Sequence, residues 1–505
     1  MGVTDRSLVR RLRAWTVGGP VARGTTIHTS VVDEPGRFLL AFVRMGGETR
    51  PWGVAWKAGR AATKIRAVGE PRAREFVDEM LVELAEDLAD HLGHPEYRNG
   101  RVDPDDAGPD ELVQVWVPNG THLDMLHYLA YAHIRRKGTT DDDAILKMLG
   151  RLSLHLFLES RKPGQQLVID GTAALRSAFD FPCEDARQGH LGLLVAWLDH
   201  RSDRDQGIAA ALEAERLTVS TALDPELERK PLQDLVDRYN QSRKGRGKGT
   251  PVTEKKVVAE LRPELIRRID LLERSIDYIQ HDERNYNRGL EELEAESLKS
   301  LRYLMRGEAL AIVSGREPWV HAPETDWDAR TAAARFFENA AAEDRAVNAL
   351  IHDDRELEAE AINSGAAFRG VITKVVNEGT RQKKIPVWTL VDSQPGALSL
   401  RQWDAVCVVG QKTRTGIIRE IAPTKDGSLQ LVLEITNLKN PVADEEWPYR
   451  MGALDPSWLG LAVTLTGISF AELSARKARL SRDRDPALGD WMLAAALPPT
   501  DGDAE

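Results

Sequence analysis

Five short runs between residues 368 and 436 read as strands, a pattern sharp enough to leave few folds open. They cover residues 368–376, 386–391, 404–409, 414–422 and 429–436. The last puts Leu429, Leu431, Leu433 and Ile435 on one face, with Gln430, Glu434 and Thr436 mainly on the other. That period of two marks a strand with one buried side. The turn Lys425-Asp426-Gly427-Ser428 precedes it, and Asp-Gly between alternating runs is a strong hairpin signal. Strands this short and this close together predict a small five-stranded β-barrel, more often a platform for binding than a reaction centre.

The rest of the chain is organised around that module. A length of 505 residues leaves room for about three domains, and the expected class is multidomain α+β. Residues 1–140 read as a mixed α/β unit. Strands are expected over 38–45, 52–56 and 63–68. A helix follows, with Val77, Met80, Leu81, Leu84, Leu88 and Leu92 on one face, then a strand over 112–117 and a helix over 121–136 capped by Thr121. Residues 141–239 read as a helical region and 240–253 as a basic flexible linker. A helical stalk is expected over 254–365, the barrel over 366–440, and a C-terminal extension with a disordered tail over 441–505.

Charge and composition narrow the function. A net charge of −11 argues against a protein that coats nucleic acid with its whole surface, but it leaves room for a local basic groove. Cys183 and Cys407 are the only cysteines, so a disulfide framework or cysteine-rich zinc site is not expected. No run approaches 18 apolar residues and no secretory signal is visible, so the expected location is cytoplasmic, with no membrane partner.

Cations gather in three places. The linker carries Arg243, Lys244, Arg246 and Lys248. The barrel carries Arg381, Lys383 and Lys384 in one loop and Lys412 and Arg414 in another. These suit phosphate contacts, and Trp388 and Trp403 suit stacking on bases. The linker is not a phosphate-binding P-loop, because Ser242 stands at the required first glycine and Gly249 follows Lys248. His190 and His200 read as structural, for want of a cysteine or carboxylate at useful spacing.

Two resemblances follow from these residues. The order β-β-β-α-β-α in residues 1–140 resembles the ribonuclease-H-like fold, and Val117-Pro118-Asn119-Gly120-Thr121-His122-Leu123-Asp124 resembles the second motif of DnaQ-type exonucleases. The resemblance implies carboxylates binding two metal ions, with Asp124 as one ligand and Asp33 or Glu34 as others. The first strand, Phe38-Leu39-Leu40-Ala41-Phe42-Val43-Arg44-Met45, carries no acid where active members have an Asp-x-Glu pair, which implies a degenerate site. The barrel is similar to OB-like and SH3-like modules. Helices leading into Phe368-Arg369-Gly370-Val371-Ile372 and Gly416-Ile417-Ile418-Arg419-Glu420-Ile421 resemble the stalk and accessory barrel of Upf1-like superfamily-1 helicases, without the motor motifs.

The reading is a non-catalytic protein that needs no cofactor. It binds DNA or RNA, or scaffolds a separately encoded helicase or nuclease. Its alternatives are a Mg2+- or Mn2+-dependent nuclease built on Asp124 and a protein–protein scaffold that sees no nucleic acid.

Overall fold

The structure, a computed structural model, describes residues 3–24, 26–97, 102–243, 250–282, 284–318, 329–392, 398–437 and 452–468. The chain forms two compact units. The first comprises Met1–Arg23, Ile27–Arg284 and Glu294–His321; the second comprises Gly24–Thr26, Asn285–Leu293 and Ala322–Glu505.

A five-stranded sheet organises the first unit. Its strands are β1 (Arg37–Arg44), β2 (Pro51–Ala58), β3 (Lys64–Ala67), β4 (Gln114–Val117) and β5 (Val168–Asp170). They lie in the order β3-β2-β1-β4-β5. The first three pair antiparallel, and β4 and β5 continue parallel to β1. Phe38 through Val43 are all buried, so β1 shows no alternation, as a strand covered on both faces should not. Full burial of a side chain such as Phe38 or Phe42 contributes about 1.5–3 kcal/mol.

Strand β2 shows what covers each face. Trp56 donates to Asp87 on α1 (Arg74–His91) at 2.7 Å, whereas Lys57, one residue out of phase, pairs with Glu273 at 2.6 Å. Glu273 lies on the long helix Pro251–Gln280, so the two helices take opposite faces. The helices between them in the chain include α2 (Gly120–His133), α3 (Asp141–Ser160) and α4 (Leu191–Asp199). The long helix is α5; it packs across β1, β2 and β3 through Leu265, Ile269, Leu272 and Ile276.

That placement corrects the expected stalk, because the apolar stripe of α5 serves the sheet. The expected boundaries at residues 140 and 239 also fall inside one core, which runs from Phe38 through Leu149, Leu194 and Leu272 to Met305. Leu301 and Met305 of helix α6 (Gly289–Ser314) belong to that core, and its first residues belong to the second unit, where Leu290 and Leu293 pack with Ala349 and Leu350.

The second unit contains helices α7 (Ala329–Leu350) and α8 (Arg355–Ser364) and a closed antiparallel barrel. Its strands are β6 (Ala367–Asn377), β7 (Pro386–Asp392), β8 (Ala405–Val408), β9 (Gln411–Pro423), β10 (Leu429–Ile435) and β11 (Ala462–Gly467). The order is β6-β7-β10-β9-β8-β11, and β11 closes the ring by pairing with both β6 and β8. The barrel thus has six strands, one more than expected, and the sixth comes from the stretch expected to be an extension. Thr464 and Thr466 on β11 are buried as well as Val463 and Leu465, because they bond Glu358 of α8 and Asn348 of α7. The expected Asp-Gly hairpin is present, with Gly427 at φ 87°. Residues 441–451 and 469–505 of the expected extension and its tail lie outside the described residues. Among those residues no helix is long and apolar enough to cross a membrane.

Candidate nucleic-acid interface

Residues 378–385 join β6 to β7 and are tied at the base. The Asn377 side-chain oxygen accepts from Gly379 N at 3.0 Å and from Ile385 N at 2.9 Å, and Glu378 N donates to Ile385 O at 2.9 Å. A side chain at Gly379 would collide with the Lys383 carbonyl, so the turn needs glycine there. Lys383 N donates to the Thr380 hydroxyl at 3.0 Å. On this pinned backbone Arg381, Lys383 and Lys384 are all exposed, and none has an ion-pair partner among the described residues.

Trp403 is the second exposed feature. It is 68 % exposed and has φ 75°, the only positive φ outside glycine among the described residues. A bulky residue in that region is strained by about 1–3 kcal/mol and is held there by its surroundings. Here the holding bonds are Trp403 N to Ile418 O at 2.7 Å and Ile418 N to Asp404 O at 3.0 Å. A strip of contacts leads from Trp403 to the basic loop. The Gln402 side chain donates to Arg419 O at 2.7 Å, and the Arg419 guanidinium donates to Glu434 at 2.7 Å and to Glu378, at the loop base, at 2.5 Å.

Of the other expected contacts, Trp388 and Arg414 are corrected by burial. Trp388 is wholly buried, donates to Ala453 O at 2.7 Å and packs on Trp458 with ring centroids 4.6 Å apart. Its ring fills the barrel core and offers no face to a base. Arg414 is 1 % exposed and donates to Asn437 O at 2.9 Å, and Lys412 is paired with Glu292. Arg243 belongs to the first unit, where it stacks on Phe76 at 4.9 Å and lies 3.8 Å from Glu75. Lys244, Arg246 and Lys248 lie outside the described residues.

The carboxylates of the nuclease alternative do not converge. Asp33 and Glu34 precede β1, while Asp124 is exposed on α2, past the far end of β4, which runs parallel to β1. Glu34 is within 3.7 Å of Lys57 and 3.4 Å of Arg60. Asn119, and not Thr121, caps α2, accepting from Thr121 N at 3.1 Å. Among the described residues no three His, Cys, Asp or Glu side chains form a group able to hold a metal ion. Sequence reading passed over Asp170, which ends β5 opposite Val117 of β4. Burial pushes its carboxyl up to about 6, but it accepts from Ala173 N at 2.9 Å as a helix cap.

Two further pairs have structural explanations. His190 accepts from Leu193 N at 3.1 Å and meets Leu217 O at 3.0 Å, as a structural histidine should. His352 Nδ1 accepts from Gly410 N at 3.0 Å, so the other ring nitrogen carries the proton and points at the Cys407 sulfur, 3.8 Å away. Burial pushes His352 down to about 4 and the Cys407 thiol up to about 12. Both are neutral near pH 7, and an un-ionised thiol is no nucleophile. Compared with models of protein families, with curated proteins and with solved structures, the chain finds no match.

Proposed function

We propose that this protein is a non-catalytic nucleic-acid-binding accessory, cytoplasmic in location, whose barrel takes a DNA or RNA strand. The observation that carries this reading is the 380–384 loop: three exposed cations without ion pairs among the described residues, held on a tied turn of a chain with net charge −11. Cations without intramolecular partners bind phosphate by releasing counterions, at no loss of an internal salt bridge. Trp403 adds an exposed aromatic face, which suits an unpaired base better than a stacked duplex.

Two features support the finer resemblances. In the first unit, three antiparallel strands are followed by a helix and two strands parallel to the first, an arrangement that fits a ribonuclease-H-like sheet. The acid-free β1 and scattered carboxylates favour a non-catalytic version of it. The closed barrel that follows helices α7 and α8 is compatible with the accessory barrel of Upf1-like helicases, so a separately encoded helicase or nuclease is the partner to seek. The test is fluorescence anisotropy with labelled single-stranded and duplex DNA and RNA over a salt series. Affinity that falls steeply with salt and favours single strands is expected. Absence of binding at low salt would leave the scaffold reading in its place.

A further inference from the structure

A cleft of about 770 Å3 in the first unit lies at the C-terminal end of α5, within the size range of small-ligand sites. Arg274 and Tyr278 project from α5 four residues apart and so share a face. Arg201 follows α4, Leu198 lies in the last turn of that helix, and Phe179 supplies an aromatic wall. Nothing in the functional reading above uses this site.

Its charges are unevenly committed. Asp199 is engaged twice, by the Arg274 guanidinium and by the Tyr278 hydroxyl at 2.5 Å. Arg284 forks onto Asp282 at 2.7 Å, donates to Arg23 O at 2.6 Å and lies 5.4 Å from the Phe179 ring centre. Arg201 is exposed and has no ion-pair partner among the described residues. Arg201, Arg274 and Tyr278 line the same cleft, and both guanidiniums act electrostatically on the Tyr278 hydroxyl. Phe179, Leu198, Pro20 and Ala22 give the cleft an apolar side.

We propose that this cleft binds a small organic phosphate of nucleoside-monophosphate size. Arg201 meets the phosphate, for which the planar guanidinium fork is suited, while Arg274, held by Asp199, adds positive charge nearby. The apolar side takes the flat body of the ligand. Asp277, which also lines the cleft, carries a carboxylate suited to sugar hydroxyls.

The experiment is isothermal titration of the full chain with AMP, GMP, CMP and UMP, and separately with inorganic phosphate. At least one nucleotide is expected to bind, and more tightly than inorganic phosphate. Arg201→Ala is expected to weaken it about tenfold, the usual worth of a charge-assisted contact, with partial rescue by Arg201→Lys. Arg201 is exposed, so the fold survives, and unchanged circular dichroism checks it. The Arg381, Lys383 and Lys384 alanine variant should keep nucleotide binding intact, which separates this site from the barrel. Absence of nucleotide binding at millimolar concentration, binding indifferent to Arg201→Ala, or inorganic phosphate binding as tightly as the nucleotides would each overturn the proposal.

Discussion

The segments Thr380-Arg381-Gln382-Lys383-Lys384 and Gln411-Lys412-Thr413-Arg414 are almost alike in composition and leave the barrel at the same end. The register shows this: Val387 and Ile417 both sit opposite Glu434, and lower numbers on either strand lead out the same way. Yet the first segment is a turn outside the ladder, and the second is the start of β9. Gln411 pairs with Val408, and Arg414 is drawn inside the barrel. A cation contributes to a binding surface only when the backbone leaves it outside and no internal acid claims it. The first segment meets both conditions.

That contrast can be broken in several ways. The largest expected effect concerns the anchor of the second segment, His352. Its folded value of about 4 lies below the usual 6.5, so the unfolded chain binds the proton more readily between these pH values. The stabilisation is complete above pH 6.5 and is lost as pH falls toward 4, since a protonated Nδ1 cannot accept from Gly410 N. Between pH 7 and 4 the wild type should lose about 3 kcal/mol more stability than His352→Gln, measured by urea unfolding at each pH. Equal slopes would mean that His352 does not anchor the turn.

Arg414→Ala comes next. It removes a buried guanidinium and leaves Asn437 O without that donor, so unfolding should become easier by about 2–4 kcal/mol. An unchanged melting temperature would place Arg414 on the surface after all. Trp403→Ala should weaken single-strand binding by about 1–2 kcal/mol, roughly 5- to 30-fold, and duplex binding much less. Trp403→Gly should lose the same affinity without lowering the melting temperature, since glycine accepts φ 75° freely. The smallest effect belongs to Lys412→Ala. Its ion pair with Glu292 is more than a third exposed on both sides, so stability should move by less than about 0.5 kcal/mol.

Strand β10 was the most legible of the barrel, because its burial alternates between core and solvent along its length. Strand β11 was not legible, because helices bury its outward threonines and erase the contrast. Where β9 begins was equally hidden. A strand expected from 414 starts at Gln411, and the three added residues, Gln411, Lys412 and Thr413, pass from loop to strand. Trp388 and Trp403 look alike in sequence, each a lone aromatic near a strand; only closure of the ring and the Trp458 contact place one inside. In the first unit the element order was readable from periodicity. An amphipathic stripe such as that on α5 does not name its partner, so the sheet it covers was mistaken for open space around a stalk. The Arg201 cleft left no sequence signal, because its groups come from segments far apart in the chain.

The most direct measurement is a salt titration of single-strand binding by three proteins: the wild type, Lys412→Ala, and the triple alanine variant at Arg381, Lys383 and Lys384. The account predicts that the triple variant flattens the dependence of log K on log salt by about 2, the share of three phosphate contacts on a single strand, while Lys412→Ala leaves it unchanged. Identical slopes for all three proteins would contradict it.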